Sequence, residues 1–165
     1  MFFVRSASLR DMKAVSELLG LAWHATYDRL YGVGKVDELT RAWYSVDALS
    51  AKLARRNSEF VVADDGRQLG GTGYAALAAD RPKTIVLHHL YVHPSYQRQG
   101  IGSDMFSELE TCFPDAERIE LEVDPQNDNA LAFYRRLGFA EIGRTENCGG
   151  GQSGIPALIL AKAIL

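Results

Sequence analysis

Short β-type runs alternate with longer helical stripes along the chain. "FFVRSA" at 2–7 reads as a first strand. Asp11 then opens a helix whose inward positions Val15, Leu18, Leu19, Ala22, Trp23 and Thr26 follow the 3.6-residue period. "DELTRAW" and "SVDALSAKLARR" form a second helical region, with Ser45 as an N-cap. "EFVVADDGRQLGGTGYAAL" has the pattern of a hairpin, two β-rich runs joined through "DDGR". "TIVLHHLYVHP" is the strongest strand and stops at Pro94. Met105, Phe106, Leu109, Cys112 and Phe113 make one apolar helix stripe, and "RIELEV" alternates as a strand. "NDNALAFYRRLGF" predicts a helix from near Asn127 that ends at Gly138, a residue type suited to the position just past a helix C-terminus. "FAEIGRT" and "IPALILAKAI" close the chain as strands around a glycine-rich loop at 149–154. The predicted order is β, α, α, β, β, β, α, β, α, β, β, with no linker, repeat or compositional break, so residues 1–165 are expected to form a single domain.

Composition narrows the function classes only a little. The chain has 165 residues, 47% hydrophobic and 24% charged, with a formal net charge of −3. That balance argues against a general nucleic-acid binder, which carries a basic surplus. No apolar run reaches the ~20 residues of a membrane span, and the N-terminal run is too short for a signal peptide. Cys112 and Cys148 match no metal-ligand spacing; Cys112 is expected as a reduced core residue and Cys148 as an exposed loop thiol. These features together predict a cytoplasmic protein with no metal, membrane or nucleic-acid partner.

The candidate chemistry sits in "QRQGIG" at 97–102, where a strand hands over to a helix. Gly100 and Gly102 allow a tight turn and close approach of a ligand to the backbone. The first amides of the following helix point outward, and the helix dipole favours an anion there. Arg98 can add a charge-assisted contact. A phosphate-bearing ligand, most naturally a pyrophosphate, suits such a loop. The Walker string G-x-x-x-x-G-K-[ST] is absent. "GTGYAA" at 71–76 has the spacing of a dinucleotide fingerprint but lies in a hairpin strand with no helix after it. A glycine turn without any ligand is the competing reading of "QRQGIG".

Two strings together carry a family resemblance. "LYVHPSYQRQGIGSDMFSELE" followed by "LEVDPQNDNALAFYRRLGF" resembles the GNAT superfamily of N-acetyltransferases. The family's acetyl-CoA loop, [Q/R]-x-x-G-x-[G/A], is met by Gln97, Gly100 and Gly102. Its second signature, an Asn followed seven residues later by Tyr and then by Gly-Phe, is met by Asn127, Tyr134, Gly138 and Phe139. The resemblance covers most of the chain, although residues 11–57 match only as helices. It implies an α/β (α+β) GNAT-like fold: a mixed, largely antiparallel sheet of about seven strands, splayed at the cofactor site, with about four helices packed on both faces.

The resemblance also implies roles. Backbone groups of Leu90, Tyr91 and Val92 would pair with the pantetheine arm of acetyl-CoA, and the amides from Arg98 through Gln99, Gly100, Ile101 and Gly102 to Ser103 would hold its pyrophosphate. Asn127 matches the residue that caps the later helix near the pantetheine, and Tyr134 the acid that protonates the departing thiolate. An alkyl amine with a pKa of about 10.4 is almost wholly protonated at neutral pH, so a base or a water chain must take its proton. Glu122 matches the base of ribosomal-protein N-terminal acetyltransferases, and His88 a histidine of arylalkylamine acetyltransferases; the choice between them stays open. Strand alternation puts His88 and Leu90 on one face and His89, Tyr91 and His93 on the other. Val86 stands where many members have a glutamate, which removes the base of the histone-acetylating branch. The acceptor, a small-molecule or peptide amine, would be met by the helices at 11–57, rich in rings at Trp23, Tyr27, Tyr31, Trp43 and Tyr44 and carrying His24, and by the loop before the last strand; the simpler reading packs Trp23 and Tyr27 on the sheet as core. Homodimers are frequent in the family, which is the sole warrant for a homodimer here. An idle acyl-CoA-binding or sensor module of the same fold, and a nucleotide-phosphate binder without acyl chemistry, are the competing classes.

Overall fold

The computed structural model describes residues 1–164. In chain order the elements are β1 (Phe3–Ser6), α1 (Met12–Tyr31), α2 (Val33–Tyr44), α3 (Val46–Ala54), β2 (Ser58–Asp64), β3 (Leu69–Leu77) and β4 (Thr84–Val92), followed by α4 (Ile101–Thr111), β5 (Arg118–Val123), α5 (Asp128–Arg136), β6 (Ala140–Thr145) and β7 (Ala157–Ala163). The strand order is β1-β2-β3-β4-β5-β7-β6, a mixed seven-stranded arrangement. The pairings β1/β2, β2/β3, β5/β7 and β6/β7 are antiparallel, and β4/β5 is parallel. Among the described residues five α-helices stand where about four were expected, because the second helical region divides at Ser45. Its hydroxyl accepts from Ala48 N at 3.1 Å, so the residue caps α3 as its type predicts.

The chain forms two compact units. One comprises Met1–Ala76 and His89–Cys112; the other comprises Leu77–His88 and the chain from Phe113 onward. In the first unit β2 and β3 pair along their lengths, turned by "DDGR". Asp64 Oδ1 accepts from Gly66 N, and Asp65 Oδ1 from Arg67 N and Gln68 N, each at 2.8 Å, which is the short-range bonding that makes Asp a turn residue. Alternation on β3 sends Thr72 and Tyr74 to one face and Gly71 and Gly73 to the other. The first face meets rings: Tyr74 lies 5.3 Å from Phe60 and 6.1 Å from His89 between centroids, and His89 lies 5.9 Å from Tyr44 of α2. The second face meets α4 through its stripe of Ile101, Met105, Phe106 and Leu109, all buried. Helices therefore cover both faces of this unit. On α1 the buried stripe runs Met12, Val15, Leu18, Leu19, Ala22, Trp23 and Tyr27; the last replaces the expected Thr26, which is half-buried.

In the second unit β5 lies between β4 and β7. The parallel register spans Thr84↔Arg118 to Leu87↔Leu121, while β5 goes on to Val123 alongside β7. Glu120, buried on β5, is held by Arg81 and by Arg118 Nε at 2.9 Å. A buried carboxylate requires such partners, since an unpaired one would lose its hydration without return.

Candidate functional site

The residues expected to form the cofactor loop, and the β4 residues expected beside them, lie in the first unit. Past Val92, the His93 N–H donates to Gly70 O at 2.8 Å, and His93 Nδ1 accepts from Ser95 N at 3.0 Å. Pro94–Tyr96 makes a single 3-10 turn that re-aims the chain. Arg98 then takes φ +64° and Gly100 φ +81°, two left-handed residues within three positions. Gly100 adopts this conformation without a Cβ penalty, whereas Arg98 holds it at a cost of order 1 kcal/mol. The second reversal ends at the first residue of α4. The first backbone bond back into the helix is Asp104 N to Gly100 O at 3.0 Å, so the amides of Ile101, Gly102 and Ser103 have no partner within the helix. Gln97, Arg98, Gln99 and Gly100 are exposed, and a Cβ placed on Gly100 would meet nothing within 4 Å. The loop therefore leaves residues 97–100 exposed at the positive end of a helix whose first amides have no partner within that helix.

On β4 the faces alternate as the sequence predicts. Leu90 points to α4, while His89 and Tyr91 point to the rings of α1 and α2, with Tyr91 at 6.4 Å from Trp23. Thr72 Oγ1 lies 3.3 Å from His89 Nε2. Trp23 and Tyr27 are 3% and 4% exposed, which makes them core residues rather than an open aromatic wall; Tyr31 and Trp43 are half-buried. His24 is held from two sides, Nδ1 to Asp28 Oδ1 at 2.6 Å and Nε2 to Asp37 Oδ1 at 2.8 Å. The hydrogen bond it donates to Asp28, then that to Asp37, raises the imidazole pKa above its ordinary value. Lys52, not singled out by its sequence, lies over Tyr44 at 5.2 Å and Tyr74 at 5.9 Å, and burial lowers its pKa. No sequence signal marks that placement, which joins residues on three elements.

Tyr134, Asn127, Glu122 and His88 lie in the second unit. Asn127 caps α5: its Oδ1 accepts from Ala130 N at 3.2 Å and its own N–H donates to Asp124 O at 3.0 Å. Tyr134 is 8% exposed and sits edge-on to Phe139 at 5.5 Å and to Phe133 at 5.2 Å. Glu122 has an exposed side chain whose Oε1 accepts from Gly149 N at 3.2 Å, tying β5 to the glycine-rich loop. His88 is exposed, one residue before the buried His89. Cys148 differs from its expected exposure: it is half-buried, and burial with the nearby charges of Glu122 and Asp124 pushes its thiol up to about 12. Cys112 is likewise half-buried rather than fully inside, donating to Glu108 O at 3.2 Å. Both departures arise because a helix stripe or loop position does not reveal how closely other elements approach it. Among the described residues no three His, Cys, Asp or Glu side chains gather as a metal site, and no helix is long and apolar enough to cross a membrane.

A strand, a double left-handed turn and an open helix N-terminus, followed by an Asn-capped helix that carries a tyrosine, are the marks of one class of proteins. The chain belongs to the acetyltransferase (GNAT) family, which matches it over residues 13–139. Among curated proteins it is 36% identical over 97 residues to the N-alpha-acetyltransferase RimI of Mycobacterium tuberculosis; the match covers 58% of this chain and 61% of that relative, less than two thirds of its length. Among solved structures it resembles the PaiA N-acetyltransferase of Thermoplasma acidophilum in complex with coenzyme A, with a TM-score of 0.85, 22% identity and 99% of each chain covered. It also resembles the ribosomal-protein-S18-alanine N-acetyltransferase of Escherichia coli, with a TM-score of 0.74, 20% identity, and 99% and 94% of the two chains covered. At these identities the two structures establish the fold.

Proposed function

We propose that the protein, as one N-acetyltransferase domain, moves an acetyl group from acetyl-CoA directly to a primary amine, either a small amine or a peptide N-terminus. The observation that carries this is the loop at 98–103, whose left-handed Arg98 and Gly100 lead into helix amides without a partner in that helix, with open space beside Gly100. Such a cradle fits a pyrophosphate, because its donors are already aimed and need no reorganisation. The coenzyme A complex of the Thermoplasma neighbour supports the same ligand.

Bound acetyl-CoA supplies a thioester carbonyl. In this reading Leu90, Tyr91 and Val92 offer strand backbone to the pantetheine arm, and Asn127 helps to place it. The amine nitrogen forms the new bond to the carbonyl carbon as the carbon–sulfur bond breaks. Tyr134 gives its phenolic proton to the sulfur, where proximity matters more than acidity, since a phenol of pKa about 10 is a weaker acid than a thiol of about 8.5. The proton lost by the amine goes to Glu122 or His88, directly or through water. The exposed carboxylate of Glu122 and exposed imidazole of His88 support either route. The RimI relative and the S18-alanine enzyme support a peptide amine, and the aminoglycoside 6'-acetyltransferase type Ii neighbour, with a TM-score of 0.66 and 21% identity, supports a small one.

An amine screen with purified protein, following release of free coenzyme A, tests the proposal. Turnover with at least one amine or N-terminal peptide is expected. Tight binding of acetyl-CoA with no turnover across peptides, polyamines and aminoglycosides would instead establish a binding module.

A further inference from the structure

The string Gly71-Thr72-Gly73 has the spacing of a nucleotide fingerprint in the wrong setting, and the packing gives it another use. Gly71 and Gly73 share the face of β3 on which α4 rides. A Cβ on Gly71 would meet Met105 Cε at 2.7 Å, Ile101 Cγ2 at 3.0 Å and Met105 Sδ at 3.1 Å. All three fall inside the ~3.5–4.0 Å at which carbon atoms rest against one another. Met105 is 0% exposed and Ile101 4%, so neither side chain can swing into solvent. Ile101 Cγ2 hangs from a branched Cβ and follows the helix backbone. Ile101 is also the first residue of α4, directly after left-handed Gly100.

We propose that Gly71 is a positioning residue for the cofactor loop: its missing side chain seats the first turn of α4 on β3, and that seat aims the amides of residues 100–103. The inference rests on the reading that these amides hold the pyrophosphate of acetyl-CoA. Gly71 itself touches no ligand. A methyl group at this position presses on both side chains; the flexible end of Met105 takes up part of the strain and Ile101 lifts by the rest, and the amides beside Ile101 turn with it. Hydrogen bonds weaken steeply as their angle departs from linear, so a small tilt costs affinity for the phosphates out of proportion to its size.

The test is a calorimetric titration of coenzyme A into wild type, Gly71→Ala, Met105→Ala and the double variant, each with its melting temperature. Gly71→Ala is expected to weaken coenzyme A by about tenfold or more, the scale of one charge-assisted hydrogen bond, while the KM for the amine stays within about twofold. Met105→Ala removes two of the three contacts, so the double variant is expected to bind more tightly than Gly71→Ala. A Gly71→Ala protein that binds within about twofold of wild type, or a double variant no tighter than Gly71→Ala, overturns the proposal, whatever happens to the melting temperature. If Gly71→Ala does not fold, the double variant must still bind more weakly than Met105→Ala, because the Ile101 contact remains; equal affinity overturns the proposal. Wild type that binds no coenzyme A overturns the functional reading and this inference with it, whereas wild-type binding with unchanged Gly71→Ala overturns the inference alone.

Discussion

Tyr134 is 8% exposed and packs edge-on between Phe133 and Phe139, so its ring has a structural task whatever its hydroxyl does. Tyr134→Phe keeps the ring and removes only the oxygen, which separates the two tasks. If the hydroxyl protonates the thiolate, kcat falls by about 10²-fold or more while the Kd of coenzyme A holds steady. Stopped assays of coenzyme A release beside equilibrium titration measure both, and unchanged kcat would give the proton to water. Asp11 is a second residue whose environment sets its chemistry. Arg5 donates to both of its oxygens at 2.9 Å, and Ser8 N to Oδ2 at 2.8 Å. The Arg5 hydrogen bonds, foremost, hold the Asp11 carboxyl at about 2. A depressed folded-state pKa stabilises fully above the unfolded value and ceases to do so as pH falls. The Asp11 contribution, about 1–2 kcal/mol after solvent screening, is therefore present at pH 7 and lost between about pH 4 and 2. Urea melts of wild type and Asp11→Ala should differ at pH 7 and converge near pH 2; a constant difference would refute the assignment.

At the scale of elements, α1 and α2 are joined by His24, which reaches Asp28 on its own helix and Asp37 on the next. Its pKa is raised in the fold, so the sign is opposite to that of Asp11. The clamp is complete below the ordinary imidazole pKa of about 6.5 and weakens as pH rises through the higher folded value. Thermal melts should show wild type losing stability between slightly acid and slightly alkaline pH by more than His24→Ala does. Parallel losses would mean that His24 contributes no linkage. The glycine seat under α4 belongs to this scale too. Three helix starts show how elements take up their roles: α3 and α5 begin with side-chain caps from Ser45 and Asn127, whereas α4 begins at a left-handed glycine with no side-chain cap.

For the whole molecule, binding of acetyl-CoA to the folded state is a stability term. At a hundredfold excess over Kd it adds about 2.7 kcal/mol, which for a chain of this size raises the melting temperature by roughly 5–10 °C. ATP and NAD share phosphates but not the pantetheine arm, so their shifts should be less than half as large. Equal shifts for all three would leave a phosphate site without acyl specificity. With a net charge of −3, the proposed site would draw its anion through the loop amides and Arg98 rather than through a basic surface.

The sequence by itself determined the features whose causes are local. The order of strands and helices follows from hydrophobic period; the "DDGR" turn, the Ser45 and Asn127 caps and the positive φ of Gly100 and Gly138 follow from what those side chains, or their absence, do within a few residues. The turn at 98–103 belongs to the same class, because a loop and the helix it opens are contiguous. Only the tertiary structure decided which distant groups meet: Glu120 with Arg81 and Arg118, Lys52 over Tyr74, Cys148 beside the charges of Glu122 and Asp124, Gly71 beneath Ile101. Those partners are far apart along the chain, and pairing them depends on strand register and on how closely a helix can approach a sheet. Local propensity carries no record of either distance. Only the packing of α4 brings Gly71, in a hairpin strand, against Ile101 and Met105.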